Sequence, residues 1–327
     1  ESARPAPNDP GVRYFAAGAE HDVGEISLGP GETLYIEEGA VVHGCVTLTE
    51  AHGARIGGRG ILDGSRFSHE GDARKQMIKI IESENVTVEG VTVVNGPNWH
   101  IVPIACTDTE IRDVNVITFT GTGDGIDVTG SDRTSISGCF IRSNDDCIAV
   151  KAVDYMHPAG CRNVSGVHVR ECVFWNASWG NALEIGYETR CDEISDVVFE
   201  DSDIIHAEFE GYSSGGTFTI HNGDHATVRD VTYRNIRVED AQEKLIDLKV
   251  QHSRYSKDPE RGQVQGIRFE NIAIVDGRFP PSIIQGFDAN HKVTDVQITN
   301  LTYMGKPVAD ALDARMVVEL ASEVRIR

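Results

Sequence analysis

Two acidic segments carry the chemistry most plainly: GTGDGIDV at residues 121–128 and SNDDCIAVK at 143–151. Each sets aspartate directly ahead of a short apolar, strand-like run, and Asp124 lies 21 residues before Asp145. If that spacing is about one turn of a repeating chain, Asp124 falls beside the Asp145/Asp146 pair on neighbouring rungs, roughly 4.8 Å apart in a parallel sheet. Carboxylates so close raise the pKa of at least one member. Three chemistries suit such a cluster: solvated aspartate-rich turns, an oxygen site for a hard cation such as calcium, or an acid and base pair. In the last, one protonated and one ionised carboxyl flank a glycosidic bond.

Other polar and aromatic groups fall where the same edge should continue. NGPNWH at 95–100 offers Trp99 and His100; Lys151 ends the second acidic segment; SWGNALEIGYE at 178–188 offers Trp179, Asn181, Glu184, Tyr187 and Glu188; IHNGD at 220–224 offers His221 and Asp224. Rings beside carboxylates suit sugars, whose CH faces stack on aromatics while their hydroxyls take polar partners. Singly, each of these residues reads as well as a packed or solvated side chain, and Lys151 as a charge partner of the aspartates. Their shared place in a repeat is what assigns them to substrate binding.

The elements that must position them are short β-branched runs punctuated by Gly, Asn and Asp, with helical periodicity nearly absent. The runs beginning at Asn85, Thr109, Thr134, Val167, Glu193, Ala226, Gly266 and Lys292 resemble one another. Aligned on Val91, Val114, Cys139, Cys172, Val197, Val231, Ile272 and Val296, they repeat every 24 residues or so, with insertions. A period in the twenties with three strand-like pieces and no helix predicts an all-β chain: a single right-handed parallel β-helix. Asn85, Asn163 and Asn300 stand at run ends, where stacked asparagine ladders form. Residues 14–36 and 307–327 read as irregular caps on the solenoid ends. Residues 1–13, rich in proline, read as a linker or the remnant of a removed N-terminal region, leaving 14–327 as the catalytic domain.

Composition narrows the partners. With 51 Asp+Glu against 30 Lys+Arg, a net charge of −21 and no basic cluster, the chain is unsuited to nucleic acid. No run is long and apolar enough to span a membrane. The acidic field repels a polyanion at long range and favours a neutral substrate. Seven cysteines, an odd number without a CxxC pair, make no zinc site; Cys161 and Cys191, in loop-like stretches, are placed to pair.

At GRGILDG (58–64), NVTVEGVTVVNGPNWHI (85–101), GDGIDV and NDDCIAVK the chain resembles the β-helix glycoside hydrolases that include polygalacturonases, dextranases and isopullulanases. The resemblance implies a catalytic trio of Asp124, Asp145 and Asp146, inversion at the anomeric carbon, a carbohydrate substrate, no metal and no cofactor, and a secreted or periplasmic location. Asp145 is expected to be the general acid, its pKa raised by its neighbours, with Asp124 and Asp146 holding the water. Where polygalacturonases have Gly-His-Gly, this chain has Gly180-Asn181-Ala182, and no Arg-x-Lys follows between 217 and 224. That pattern points to a neutral, glucan-like polysaccharide or oligosaccharide, as cleaved by dextranases and isopullulanases, before galacturonan. The alternatives are a polygalacturonase-like pectin hydrolase and a calcium-dependent lyase with Lys151 as base. Linkage and oligomeric state are not encoded in these motifs.

Overall fold

The computed structural model describes residues 3–71, 74–208 and 215–327. Strands are short, and nearly every one pairs in parallel with its counterpart one coil away, joining 29 strands in a continuous ladder. The coil is a right-handed parallel β-helix. Among the described residues the only helical element is one 3-10 turn, Pro158–Cys161.

Each coil needs sharp corners, and side chains that tolerate a left-handed backbone supply them. One corner recurs at Asp196, Asp230 and Asp295, the next at Asp201, Asn235, Asn271 and Asn300, all with positive φ. At the second corner Asn300 donates to Asn271 (2.9 Å), Asn271 to Asn235 (2.8 Å) and Asn235 to Asp201 (2.8 Å). The asparagine ladder therefore contains Asn300 but not Asn163, whose Oδ1 instead accepts the Asp192 and Glu193 amides.

Because both corners carry the same polar-then-apolar signature, the sequence alignment slipped between them. Val91, Val114, Cys139 and Cys172 do stack, but the ladder continues through Ser202, Ile236, Ile272 and Leu301; Val197, Val231 and Val296 belong to the preceding corner. Inside the coil, Phe199, Tyr233 and Phe269 stack at 5.1 and 4.8 Å along a core of Ile, Val and Leu.

Neither end is the irregular cap expected. Val12–Phe15 and Glu20–Leu28 are strands of the first coil and Thr33–Ile36 opens the second, so strand begins inside the segment read as linker. Met316–Glu319 and Ala321–Ile326 continue the ladder at the other end. All seven cysteines are free thiols, Cys161 and Cys191 included.

Candidate active site

One sheet of the solenoid positions the acidic segments. Its strands Ile101–Ile104, Ile126–Thr129, Ile148–Ala152, Asn181–Thr189, Gly216–Asn222 and Ile246–Val250 stack in register. Alternation sends Ile126 and Val128 into the core and so sends Asp127 and Thr129 outward. The register builds three outward rows along the solenoid. Trp99, Asp124, Asp146 and Asn181 follow the turns; Asp127, Ala149, Glu184, Thr219 and Asp247 form the second row; Thr129, Lys151, Gly186, His221 and Lys249 form the third, with a bulge after Lys151.

The trio converges as expected: one carboxylate oxygen from each of Asp124, Asp145 and Asp146 lies within 4.8 Å of the others. That is tighter than the two-carboxyl spacing of about 6.5–9.5 Å associated with inversion. Asp146 is pinned through Oδ1 by the Asn181 amide (2.8 Å) and its Nδ2 (2.9 Å). The Asp145 turn is tied by Asn176, which donates to the Asp145 and Trp179 carbonyls at 2.7 and 2.8 Å. Gly180 is required beneath it: with φ at +67°, a Cβ there would meet Asp145 Oδ1 and Asp146 N at 2.5 Å.

Lys151 is the cation of the site. Its Nζ lies 2.8 Å from Asp124, 3.1 Å from Asp127 and 3.7 Å from Asp146, and 4.0 Å from the Trp99 ring centre. Burial opposes its charge, yet Asp124 and Asp127 hold the ammonium well above its ordinary pKa. Such a lysine is a poor proton abstractor, which argues against the lyase.

Asp127, absent from the residues singled out by sequence, is the fourth carboxyl. Burial and the Asp124 charge push it well above the usual range. Burial also raises Asp146, against the pull of Lys151. Both are enclosed, whereas Asp145, the expected general acid, is half-buried.

The substrate-binding candidates divide by accessibility. Trp179 is exposed on one rim, and Tyr187 and Glu188 border the floor beside Tyr155, whose hydroxyl donates to Glu188 (3.4 Å). His100 does not face a substrate. It is fully enclosed, Nδ1 donates to the Asp124 carbonyl (3.0 Å) and Nε2 accepts the Gly96 amide (3.1 Å), while burial pushes its pKa down to about 4. Asp224 is likewise interior, accepting the Lys257, Asp258 and Thr189 amides and so shaping the 251–262 insertion.

Glu184 and His221 are fully buried as well, and act through a network. His221 Nδ1 meets Glu184 at 3.0 Å and Nε2 meets Asp247 at 3.2 Å; Tyr187 stacks on its ring at 4.4 Å. Burial works against its charge, but the two carboxylates push His221 up to about 9. Lys249 and Lys244 pair with Asp247 from 2.9 and 3.2 Å. Strand parity in KLIDLKV would have put Asp247 and Lys249 on this face.

This trio on adjacent rungs has relatives. Residues 35–311 match the glycosyl hydrolases family 28. The chain belongs to that family. It is 24% identical over 206 residues to a probable polygalacturonase of Arabidopsis thaliana, covering 62% of this chain and 42% of the relative. It is 26% identical over 242 residues to the probable endopolygalacturonase E of Aspergillus niger, covering 70% and 57%. The chain thus spans about half the length of these curated relatives. A hyperthermoactive exopolygalacturonase of Thermotoga maritima superposes with a TM-score of 0.77 over 97% of this chain and 84% of that one, at 15% identity. The expectation that dextranases stand nearer is not met by these relatives, which are named as polygalacturonases.

Proposed function

We propose that this family 28 chain hydrolyses glycosidic bonds of a pectic polysaccharide with inversion, using Asp124, Asp145 and Asp146. The observation that carries this is the convergence of the trio, two of whose members, Asp124 and Asp146, pair with one buried ammonium. Asp124 and Asp146 are buried and held, one by Lys151 and the other by Asn181, which favours their holding a water for attack over attacking the sugar themselves. Asp146, raised by burial yet paired with Lys151, is a base poised nearer the working pH than an ordinary carboxylate. Asp145, outside that ion pair and more open, gives its proton to the leaving oxygen.

The relatives' names favour galacturonan. A neutral substrate is the second reading, for a specific reason: Lys151, His221, Lys244 and Lys249 all already face carboxylates, and Asn181 adds no charge. A panel of polygalacturonate, arabinan, galactan, dextran and pullulan, with products read by chromatography, decides between them. Turnover best on polygalacturonate sinks the neutral reading, and best on a glucan sinks the pectic one. Since such polymers do not cross membranes, the site of action is outside the cytoplasm; among the described residues no helix is long and apolar enough to cross one.

A further inference from the structure

The three outward rows change character at one rung. On the coil before Asp124 they hold Trp99, Val102 and Ile104, all buried, between Lys79 on the preceding coil and the carboxylates on the next. What covers that coil is the insertion at 153–162. It folds back toward the N-terminal end, where Val153, Met156 and Ala159 pack on Ile81, Trp99, Val102 and Ile104 in a small apolar cluster separate from the solenoid core. Tyr155 meets the edge of Trp99 with ring centres 5.8 Å apart.

Polar contacts fix this cover in place. Lys79 Nζ donates to the Met156 carbonyl (3.3 Å), Arg162 pairs with Glu82 (2.7 Å), and Val153 donates to the Gly160 carbonyl (3.0 Å). Arg190 ties Asp154 (2.5 Å) to Asp258 (3.2 Å) of the second insertion. The cover is therefore a wall, held at both ends, and it stands one rung from Asp124.

We infer that the groove is closed on the N-terminal side of the aspartates, so that the site takes the end of a sugar chain and releases short products. With rungs roughly 4.8 Å apart, space for roughly one or two sugar units remains between the trio and the wall. An unbroken polymer cannot lie across the covered coils, because Val102 and Ile104 have no exposed surface to offer it. The open direction runs past Trp179 and Tyr187, which keep exposed surface on the coil after Asp146. This inference rests on the glycosidase reading above and adds its mode of attack.

The test follows wild-type enzyme on the best polymer of the panel, measuring viscosity against new reducing ends and sizing products at early times. A single short product with little loss of viscosity at a few per cent of bonds cut is expected. An early ladder of oligosaccharides with a steep viscosity fall overturns the inference and leaves the hydrolase reading intact. No turnover on any polymer or derived oligosaccharide overturns both. Opening the wall with Y155A/M156A should move products toward a ladder. If that variant fails to fold, an oligosaccharide blocked at one end or the other gives the same answer on wild type: one block, and only one, should abolish cleavage, whereas cleavage of both blocked forms overturns the inference.

Discussion

Replacing Lys151 by Met removes the charge around which the aspartates are organised, with little change in bulk. At an effective dielectric of about 20, a unit charge 3.7 Å from Asp146 favours its ionised form by about 4 kcal/mol. Undiminished, that is about three pH units. Asp127 is already raised, and water entering the vacated space screens what remains, so the expected shift is about one to two units. The direction follows from the role. A base must be ionised to accept a proton, so losing the ammonium raises Asp146 further, and the acidic limb of kcat/KM moves to higher pH. The assay is a pH profile of initial rates for wild type and Lys151→Met, with melting recorded at each pH so that unfolding is not read as titration. The variant should also melt earlier, since it leaves buried carboxylates uncompensated. An acidic limb that stays in place in a folded variant would falsify the assignment of Lys151 as the group setting the charge of the trio.

Asp145→Asn should lower turnover about 10²–10⁴-fold on natural linkages but far less on an aryl glycoside with a good leaving group, whereas Asp146→Asn should impair both alike; the reverse pattern exchanges acid and base. Proton NMR of the first product should show the anomer opposite to that of the substrate bond, and retained configuration would overturn the water-mediated geometry. His221, held near 9 in the folded chain against an ordinary 6.5, contributes stability that is complete below about pH 6.5 and lost as pH rises through about 9. Melting should fall over that window by an equivalent of no more than about 3 kcal/mol, and the window should vanish in His221→Gln. Gly180→Ala should destabilise the fold and abolish turnover together, because its Cβ would overlap the Asp145 carboxylate and the Asp146 amide; an active, stable variant would contradict that packing.

The legible parts of the molecule were those written as period and parity. In a parallel solenoid the sequence distance between stacked residues is the length of one coil, so Asp124 and Asp146 could be placed together from spacing alone. Accessibility was not legible in that way. His100, Glu184, His221 and Asp224 share the site's neighbourhood, but whether each meets solvent depends on which loop folds over it, and spacing does not record loop direction. The ladder slip has a similar cause: Asp196 and Asp201 make two corners of one coil with the same signature, and only pairing partners distinguish them.

The charge of the site illustrates the same limit. Counting aspartates suggests three repelling carboxylates, in which removing any one relieves strain. The fold adds Asp127 from below and Lys151 from the neighbouring rung, and the balance changes sign for one of them. Asp124 faces the ammonium at 2.8 Å, so Asp124→Asn should lower the melting temperature, whereas Asp127→Asn, replacing a carboxyl that burial and Asp124 already hold toward its neutral form, should preserve or raise it. Calorimetry on the two variants at neutral pH separates the accounts. Equal gains in melting temperature would restore the picture of simple repulsion, and with it the view that Lys151 is only a bystander to the trio.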